Sequence, residues 1–187
     1  MLTTLIILIV IIGAIAGFVI SLYNALVRAR QTAEEAWSGI DVQLKRRADL
    51  IPNLVETVKG YASHERGTLE EVVEKRNKAQ SVAANDVTGR ARAEGELTQA
   101  LGRLFALSEA YPDLKANQNF ADLQASLEKT ESEIQMARRY YNGATRELNV
   151  KVESFPSNIV AGQFGFEKRD YFEIEEPADR AVPNVSF

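Results

Sequence analysis

The chain has 187 residues, with 22 Lys+Arg, 26 Asp+Glu, one His and no Cys, for a formal net charge of −4. Zero Cys excludes disulfide scaffolds, thiolate zinc sites, cysteine nucleophiles and a lipid-modified cysteine anchor, and the mild acidity argues against a nucleic-acid binder, which would show a basic face. The average composition hides a segregation: residues 1–27 carry no charge, so every charged side chain falls in 28–187. One membrane-type segment is joined to one charge-rich domain.

Residues 2–23 read LTTLIILIVIIGAIAGFVISLY. As a helix they span about 33 Å, enough for a hydrocarbon core of about 30 Å. Ala14-Ile15-Ala16 imitates a signal-peptidase site, but residues 1–4 have no positive charge, and cleavage there would leave a second apolar stretch. The expectation is a retained anchor over 1–23. Arg28 and Arg30 follow the span and nothing basic precedes it, so the positive-inside rule places the N-terminus outside and the domain in the cytoplasm, on a single-pass protein of the inner membrane. Gly13, Gly17 and Ser21 fall on one face of the span, the spacing that lets membrane helices approach closely.

Helical rhythm continues past the span without a capping signal. Ala33, Trp37, Ile40, Leu44, Ile51, Leu54, Val58 and Tyr61 recur at alternating four and three, a heptad stripe interrupted only at Arg47. Pro52 lies inside this run, and the stripe holds its phase across it, so a kink rather than a break is expected. A second helix comes next, with Thr68-x-x-Glu71 as a capping box and an inner face of Leu69, Val72, Val73, Arg76, Ala79 and Ala83. Residues 85–89 read as a turn. The third helix carries Leu97, Leu101, Leu104, Phe105 and Ser108 inward and ends at Tyr111-Pro112-Asp113. The fourth keeps heptad spacing through Phe120, Leu127, Thr130, Ile134, Tyr141, Leu148 and Phe155, and Phe155-Pro156 stops it.

These elements predict an all-α fold. An N-terminal transmembrane helix continues into an antiparallel bundle of two long and two short helices over 24–156. A segment over 157–176 packs on the bundle, with a helical turn at 158–161 and an aromatic strip at 166–174, and the last residues, 177–187, form a disordered tail.

Little in the sequence points to catalysis. His64 is the single histidine, and His64-Glu65 lacks the second His that a zincin helix needs. One His likewise cannot supply the Glu-x-x-His pairs of a di-iron bundle. No phosphate loop, nucleophile elbow or Ser-x-x-Lys is present. The expectation is a non-enzymatic protein with no cofactor, no metal, no small-molecule substrate and no nucleic acid. Polar residues on the long helices say more. Asp41, Lys45 and Asp49 repeat at i, i+4, i+8 and read as a solvated charged flank, or else as a polar network that fixes register. Lys45, Arg46 and Arg47 would reach acidic headgroups only if the helix bent back. Asn142 and Asn149 lie one heptad apart, where an Asn can set helix pairing. Trp37, Tyr111, Tyr140 and Tyr141 read as core or rim aromatics.

Several stretches then carry a resemblance. Tyr23-Asn24-x-Leu26-Val27 and Ala36-Trp37 come first, and Ile40-Asp41-Val42-Gln43-Leu44-Lys45-Arg46-Arg47-x-Asp49-Leu50-Ile51-Pro52-Asn53-Leu54-Val55 is the longest. Val58-Lys59-Gly60-Tyr61-Ala62-x-His64-Glu65, Tyr111-Pro112-Asp113-Leu114-Lys115-Ala116-Asn117, Arg138-x-Tyr140-Tyr141-Asn142 and Phe155-Pro156-Ser157 come after it in order. Together they resemble the LemA family, over nearly the whole charge-rich domain. The resemblance implies a bacterial single-pass membrane protein with a cytosolic helical bundle, no enzymatic activity and no cofactor. Through a relative in the magnetosome membrane set it also implies a part in organising membranes. The candidate interaction residues are then Trp37, Asp41, Lys45, Arg46, Arg47, Asp49, Pro52, Asn53, His64, Glu65, Tyr111, Pro112, Lys115 and Asn142. Two functions are expected: a membrane-anchored scaffold acting on the bilayer and on copies of itself, or a regulatory adaptor presenting 60–65 and 111–115 to a membrane-protein partner such as a protease or sensor.

Overall fold

The computed structural model describes residues 1–173; the expectations for Ile174, Phe187 and the tail lie outside the described residues. Among the described residues six helices succeed one another in chain order: α1 (Leu2–Lys59), α2 (Arg66–Ser81), α3 (Val87–Ser108), α4 (Pro112–Lys115), α5 (Gln118–Glu153) and α6 (Ser157–Phe164). Among the described residues there is no strand, so the fold is all-α, as the periodicity predicts.

The helix ends obey local chemistry. Asp86 caps α3, its Oδ1 accepting the backbone N–H of Gly89 at 2.8 Å, which makes 86–89 a helix start rather than a free turn. Asn117 does the same for α5, accepting from Phe120 N at 3.0 Å. The capping box at Thr68 is corrected: α2 starts at Arg66 behind Glu65, without a side-chain cap, and Thr68 lies inside the helix. Tyr111-Pro112 does end α3, but Pro112 also opens α4, because a proline at the first helical position loses nothing it would have bonded. α6 is longer than the expected turn. It closes on Gly165 at φ 68, a conformation that suits a residue without Cβ, and Phe166 N returns to Ala161 O at 3.0 Å.

The chain divides into two compact units, and α1 and α5 contribute to both. Unit 1 comprises 1–38 and 139–170. Its described core joins Leu26 of α1 to Val160 and Ala161 of α6 and to Phe166, with Val19, Leu22 and Val27 against it. Trp37 packs on Tyr141, ring centroids 5.4 Å apart, and Ala33 and Ala36 are buried beside them on the same face of α1.

Unit 2 comprises 39–138 together with the described residues from 171. Ile51, Leu54 and Val58 of α1 meet Leu69 and Val72 of α2, Leu97, Leu101 and Leu104 of α3, Leu114 of α4, and Phe120 and Leu127 of α5. Each such side chain, fully removed from water, contributes about 1.5–3 kcal/mol. The stripes are right in period and wrong at their margins. Ala36 is buried beside a half-exposed Trp37, Ala62 is buried while Tyr61 is exposed, and Val73, Ala83 and Phe155 face outward.

The apolar start of α1 has the opposite character. Its large side chains from Leu2 to Ile20 are exposed except the half-buried Val19, and none of the most apolar window is covered by protein. This helix is long and apolar enough to cross a membrane.

Candidate functional site

The main polar constellation of unit 2 is internal. Arg47 interrupts the apolar stripe of α1 because its side chain enters the bundle, where it is 2% exposed. Its Nη2 donates to the carboxylate of Glu94 on α3, itself 2% exposed. Its Nη1 donates to Glu131 Oε2 on α5 at 2.7 Å and to Thr98 Oγ1 at 3.0 Å. Arg90, one turn before Glu94, donates from Nε to Glu94 Oε1 at 3.1 Å and from Nη2 to Asp41 Oδ1 at 3.3 Å. Charges therefore alternate along Asp41–Arg90–Glu94–Arg47–Glu131, tying α1, α3 and α5. A planar fork that donates in several directions suits a junction of three helices. Beside it lies a cavity of about 310 Å³ lined by Arg47, Thr98, Leu101, Phe105, Leu127 and Glu131 among others.

Arg47 is a core residue and cannot meet lipid headgroups. Asp41 pairs with Arg90 on another helix rather than with Lys45, which reaches Asp49 at 3.4 Å in an exposed pair worth little. Arg46 is on the rim, pairing with Glu133 at 3.1 Å. Glu94, the key partner, belongs to no motif in the sequence. Its signal is its place three residues before Leu97 on the inner stripe of α3.

Pro52 is exposed and sits within α1. Proline has no N–H, so the carbonyl of Ala48 loses its helical donor. Arg76 of α2 supplies one, its Nε lying 2.8 Å from Ala48 O. Asn53 is exposed and its carbonyl accepts the Thr57 hydroxyl at 2.8 Å.

Around the far end of α1, Tyr111 donates its hydroxyl to Glu65 Oε1 at 2.9 Å, and Asn117 Nδ2 donates to Tyr61 Oη at 2.8 Å. The Glu65 carboxylate holds the Tyr111 phenol above its usual pKa, with burial adding to the shift. His64 and Pro112 are exposed, and Lys115 pairs with Glu109 at the surface. A groove of about 660 Å³ opens nearby, lined by Val55, Lys59, Arg66, Leu69 and Val73 among others.

In unit 1, Asn149 is 7% exposed and holds the chain after α6 with both ends of its amide. Nδ2 donates to Arg169 O at 2.9 Å, and Oδ1 accepts Arg169 N at 2.9 Å. The expectation that Asn149 pairs helices is thus corrected: it binds backbone of a non-helical segment. Tyr141 Oη donates to Asp170 O at 2.9 Å, and burial raises its pKa. Asn142 is half-buried. Gly13, Gly17 and Ser21 are all exposed, and a Cβ added at Gly13 or Gly17 would meet nothing within 4 Å.

Among the described residues no group of three or more His, Asp and Glu is placed to hold a metal ion. The polar clusters hold helices and backbone together. These features define a membrane-type helix built into an all-α bundle with an internal ionic junction.

The chain belongs to the LemA family, whose sequence profile matches residues 36–187. It is 26% identical to magnetosome protein MamQ 1 of Paramagnetospirillum magneticum over 180 residues, covering 83% of this chain and 66% of that protein. It is likewise 26% identical to magnetosome protein MamQ of Magnetospirillum gryphiswaldense, at the same coverage. Protein LemA of Metamycoplasma hominis is 27% identical over 153 residues, 82% of this chain and 69% of the relative. The chain thus spans 66% of the length of the magnetosome relatives.

Proposed function

We propose that this protein is a membrane-anchored, non-enzymatic scaffold that works by self-association and partner binding through its long helices. The observation that carries the reading is the continuity of α1. One helix, Leu2–Lys59, holds an uncharged and largely exposed apolar stretch and then, without leaving the helix, the core side chains Leu26, Ala29 and Ala33 of unit 1. A tether would need only a flexible joint; a continuous helix carries the anchor directly into the core. The likeness to proteins named for the magnetosome supports a part in building a cellular structure rather than in a reaction. The partners are then the bilayer, copies of the same chain and membrane proteins.

The anchor is read as single-pass in the inner membrane, with the N-terminus outside and the bundle in the cytoplasm, on the strength of Arg28 and Arg30. A reporter placed after Phe187 is active in the cytoplasm on this reading; activity confined to the outer side overturns it. Self-association is tested by the mass of the full chain in detergent across a wide concentration range. Oligomers that grow with concentration support the reading, and a strict monomer contradicts it.

The groove at Val55, Lys59, Arg66 and Val73 favours a second reading, an adaptor for a membrane protease or sensor. Alanine at His64 and Lys115 then removes crosslinks to that partner, and crosslinks that persist rule it out.

A further inference from the structure

Residues 154–166, from the end of α5 through α6 to Phe166, carry no charged side chain. Outside 1–27 such a run is out of character for this chain, whose other segments are charge-rich. It is also incompletely buried. Val160 and Ala161 turn inward, but Phe155 is 80% exposed, Ile159 64% and Phe164 55%. On α6 the exposed Ile159 lies opposite the Val160–Ala161 side, and its neighbours on the outer face are Asn158, Gly162 and Gln163, all uncharged. In water such a surface is unfavourable by about 25 cal/mol for each Å² of apolar area left uncovered.

The position of α6 says what covers it. Its inward residues pack with Leu26 and Phe166, and the cluster extends to Val19 and Leu22 of α1. Val19 and Leu22 belong to the last turns of the apolar stretch 2–23. Phe164 and Phe166 both stack edge-on against Tyr23, at 5.0 and 5.6 Å between centroids. Tyr23 is the last residue of that stretch and is 36% exposed, at the depth where tyrosine rings gather in membrane proteins. The first charge of the chain, Arg28, comes within about two turns. Arg30 covers the face of Phe166 at 5.1 Å, so a cationic side chain stands at the Phe166 end of the uncharged run.

We infer that α6 and its flanks are a second membrane contact: Phe155, Ile159 and Phe164 insert into the interfacial layer of the same bilayer that α1 crosses. This rests on reading 2–23 as bilayer-spanning. An element packed on Val19 and Leu22 then lies within a few Å of the hydrocarbon boundary, the depth at which interfacial helices bury an apolar face by about 5–10 Å. The occupant is lipid, because the patch is contiguous with the lipid-facing surface of the anchor and lacks the charged side chains that rim a protein interface. The consequence is a two-point attachment, in which the bilayer holds unit 1 through α1 and through α6.

The chain has no cysteine, so single spin labels can be placed on the full-length protein at Phe155→Cys, Ile159→Cys, Phe18→Cys and Val42→Cys. Phe18 reports the span. Val42, 63% exposed and about 28 Å further along α1 than Tyr23, reports water. The proteins are reconstituted in vesicles of mixed zwitterionic and anionic phospholipid, and label accessibility to oxygen and to a water-soluble nickel chelate is measured. The expected result is that labels at Phe155 and Ile159 favour oxygen over nickel, as Phe18 does and unlike Val42. Nickel access at both positions with Phe18 still shielded overturns the α6 contact and leaves the anchor standing. Exclusion of both reagents means that protein covers the patch, and this also overturns it. Nickel access at Phe18 overturns the spanning helix and the inference with it.

Discussion

The Nε of Arg76 donates at 2.8 Å to the carbonyl oxygen of Ala48, the acceptor four residues before Pro52. A proline inside a helix ordinarily costs about 3 kcal/mol or more through its missing donor and its ring clash. Here α2 lends the donor, so the proline in α1 and the arginine in α2 act as a pair. The arrangement also explains why Arg76 shares the inner face of α2 with Leu69, Val72 and Ala79.

A double-mutant cycle tests that pairing. Arg76→Ala leaves the Ala48 carbonyl without its donor and lowers stability by about 1–3 kcal/mol. In a Pro52→Ala background the helix regains its own N–H donor, and Arg76→Ala costs clearly less. Chemical denaturation of the full chain in detergent, monitored by circular dichroism, reads the difference. An equal cost in both backgrounds refutes the pairing.

The Arg47–Glu94 junction makes a sharper demand. Arg47→Ala leaves the 2% exposed carboxylate of Glu94 with Arg90 as its one cationic partner and costs about 3 kcal/mol, the lower end for a broken buried pair. Arg47→Met with Glu94→Leu removes both charges and recovers most of that loss, because apolar replacements of a buried pair are often neutral or better. Arg47→Lys keeps the charge but loses the fork, and falls between. Denaturation midpoints order the variants; a double variant less stable than Arg47→Ala contradicts the burial argument.

Asn149→Ala removes two hydrogen bonds to the backbone of Arg169, each worth about 0.5–1.5 kcal/mol. Tyr141 still holds Asp170. Hydrogen exchange at the Arg169 amide is therefore expected to quicken about tenfold or more, while Ile51 and Leu54 in unit 2 keep their protection. An unchanged Arg169 rate means that Asn149 is not the tether.

Glu96 gives the pH dependence a sign. Hydrogen bonds from Lys78 and then Lys75 hold its carboxyl below the usual range, and the Glu96 bond raises Lys75 in turn. A depressed carboxyl pKa contributes stability that is complete above the unfolded value, about 4.3, and is lost as pH falls through the lower folded value. The raised Lys75 pKa contributes stability below about 10.4 that is lost at still higher pH. Melting temperature against pH should fall in acid, with the fall shallower in Glu96→Gln. Identical acid limbs would remove Glu96 from the account.

Helix period, length and order were legible from spacing alone, because a stripe of Leu, Ile and Ala every three to four residues has one economical burial. The partners of the polar residues were not. Asp41 has Lys45 four residues on in sequence, yet its partner Arg90 comes from α3, and spacing along one helix carries no information about which helix lies alongside. Arg47 was visible as a break in a stripe, but the meaning of the break depended on Glu94 and Glu131 arriving from two other helices. Asn149 failed similarly: its partner is a backbone group twenty residues on. At helix starts, Thr68-x-x-Glu71 matched a capping pattern that the chain does not use, since the helix already begins at Arg66. The α6 patch was hidden for another reason. The sequence shows a run without charge, and only the packing on Leu26, Val19 and Leu22 places it at the end of the anchor.

The proposed scaffold assembles through its own copies in a membrane. The most direct measurement is crosslinking mass spectrometry on native membranes that carry two differently tagged copies of the full chain. The account predicts crosslinks joining the two tags, with sites on the exposed faces of α1 and α5. Crosslinks found only within single chains, at native abundance and with efficient chemistry, would contradict it.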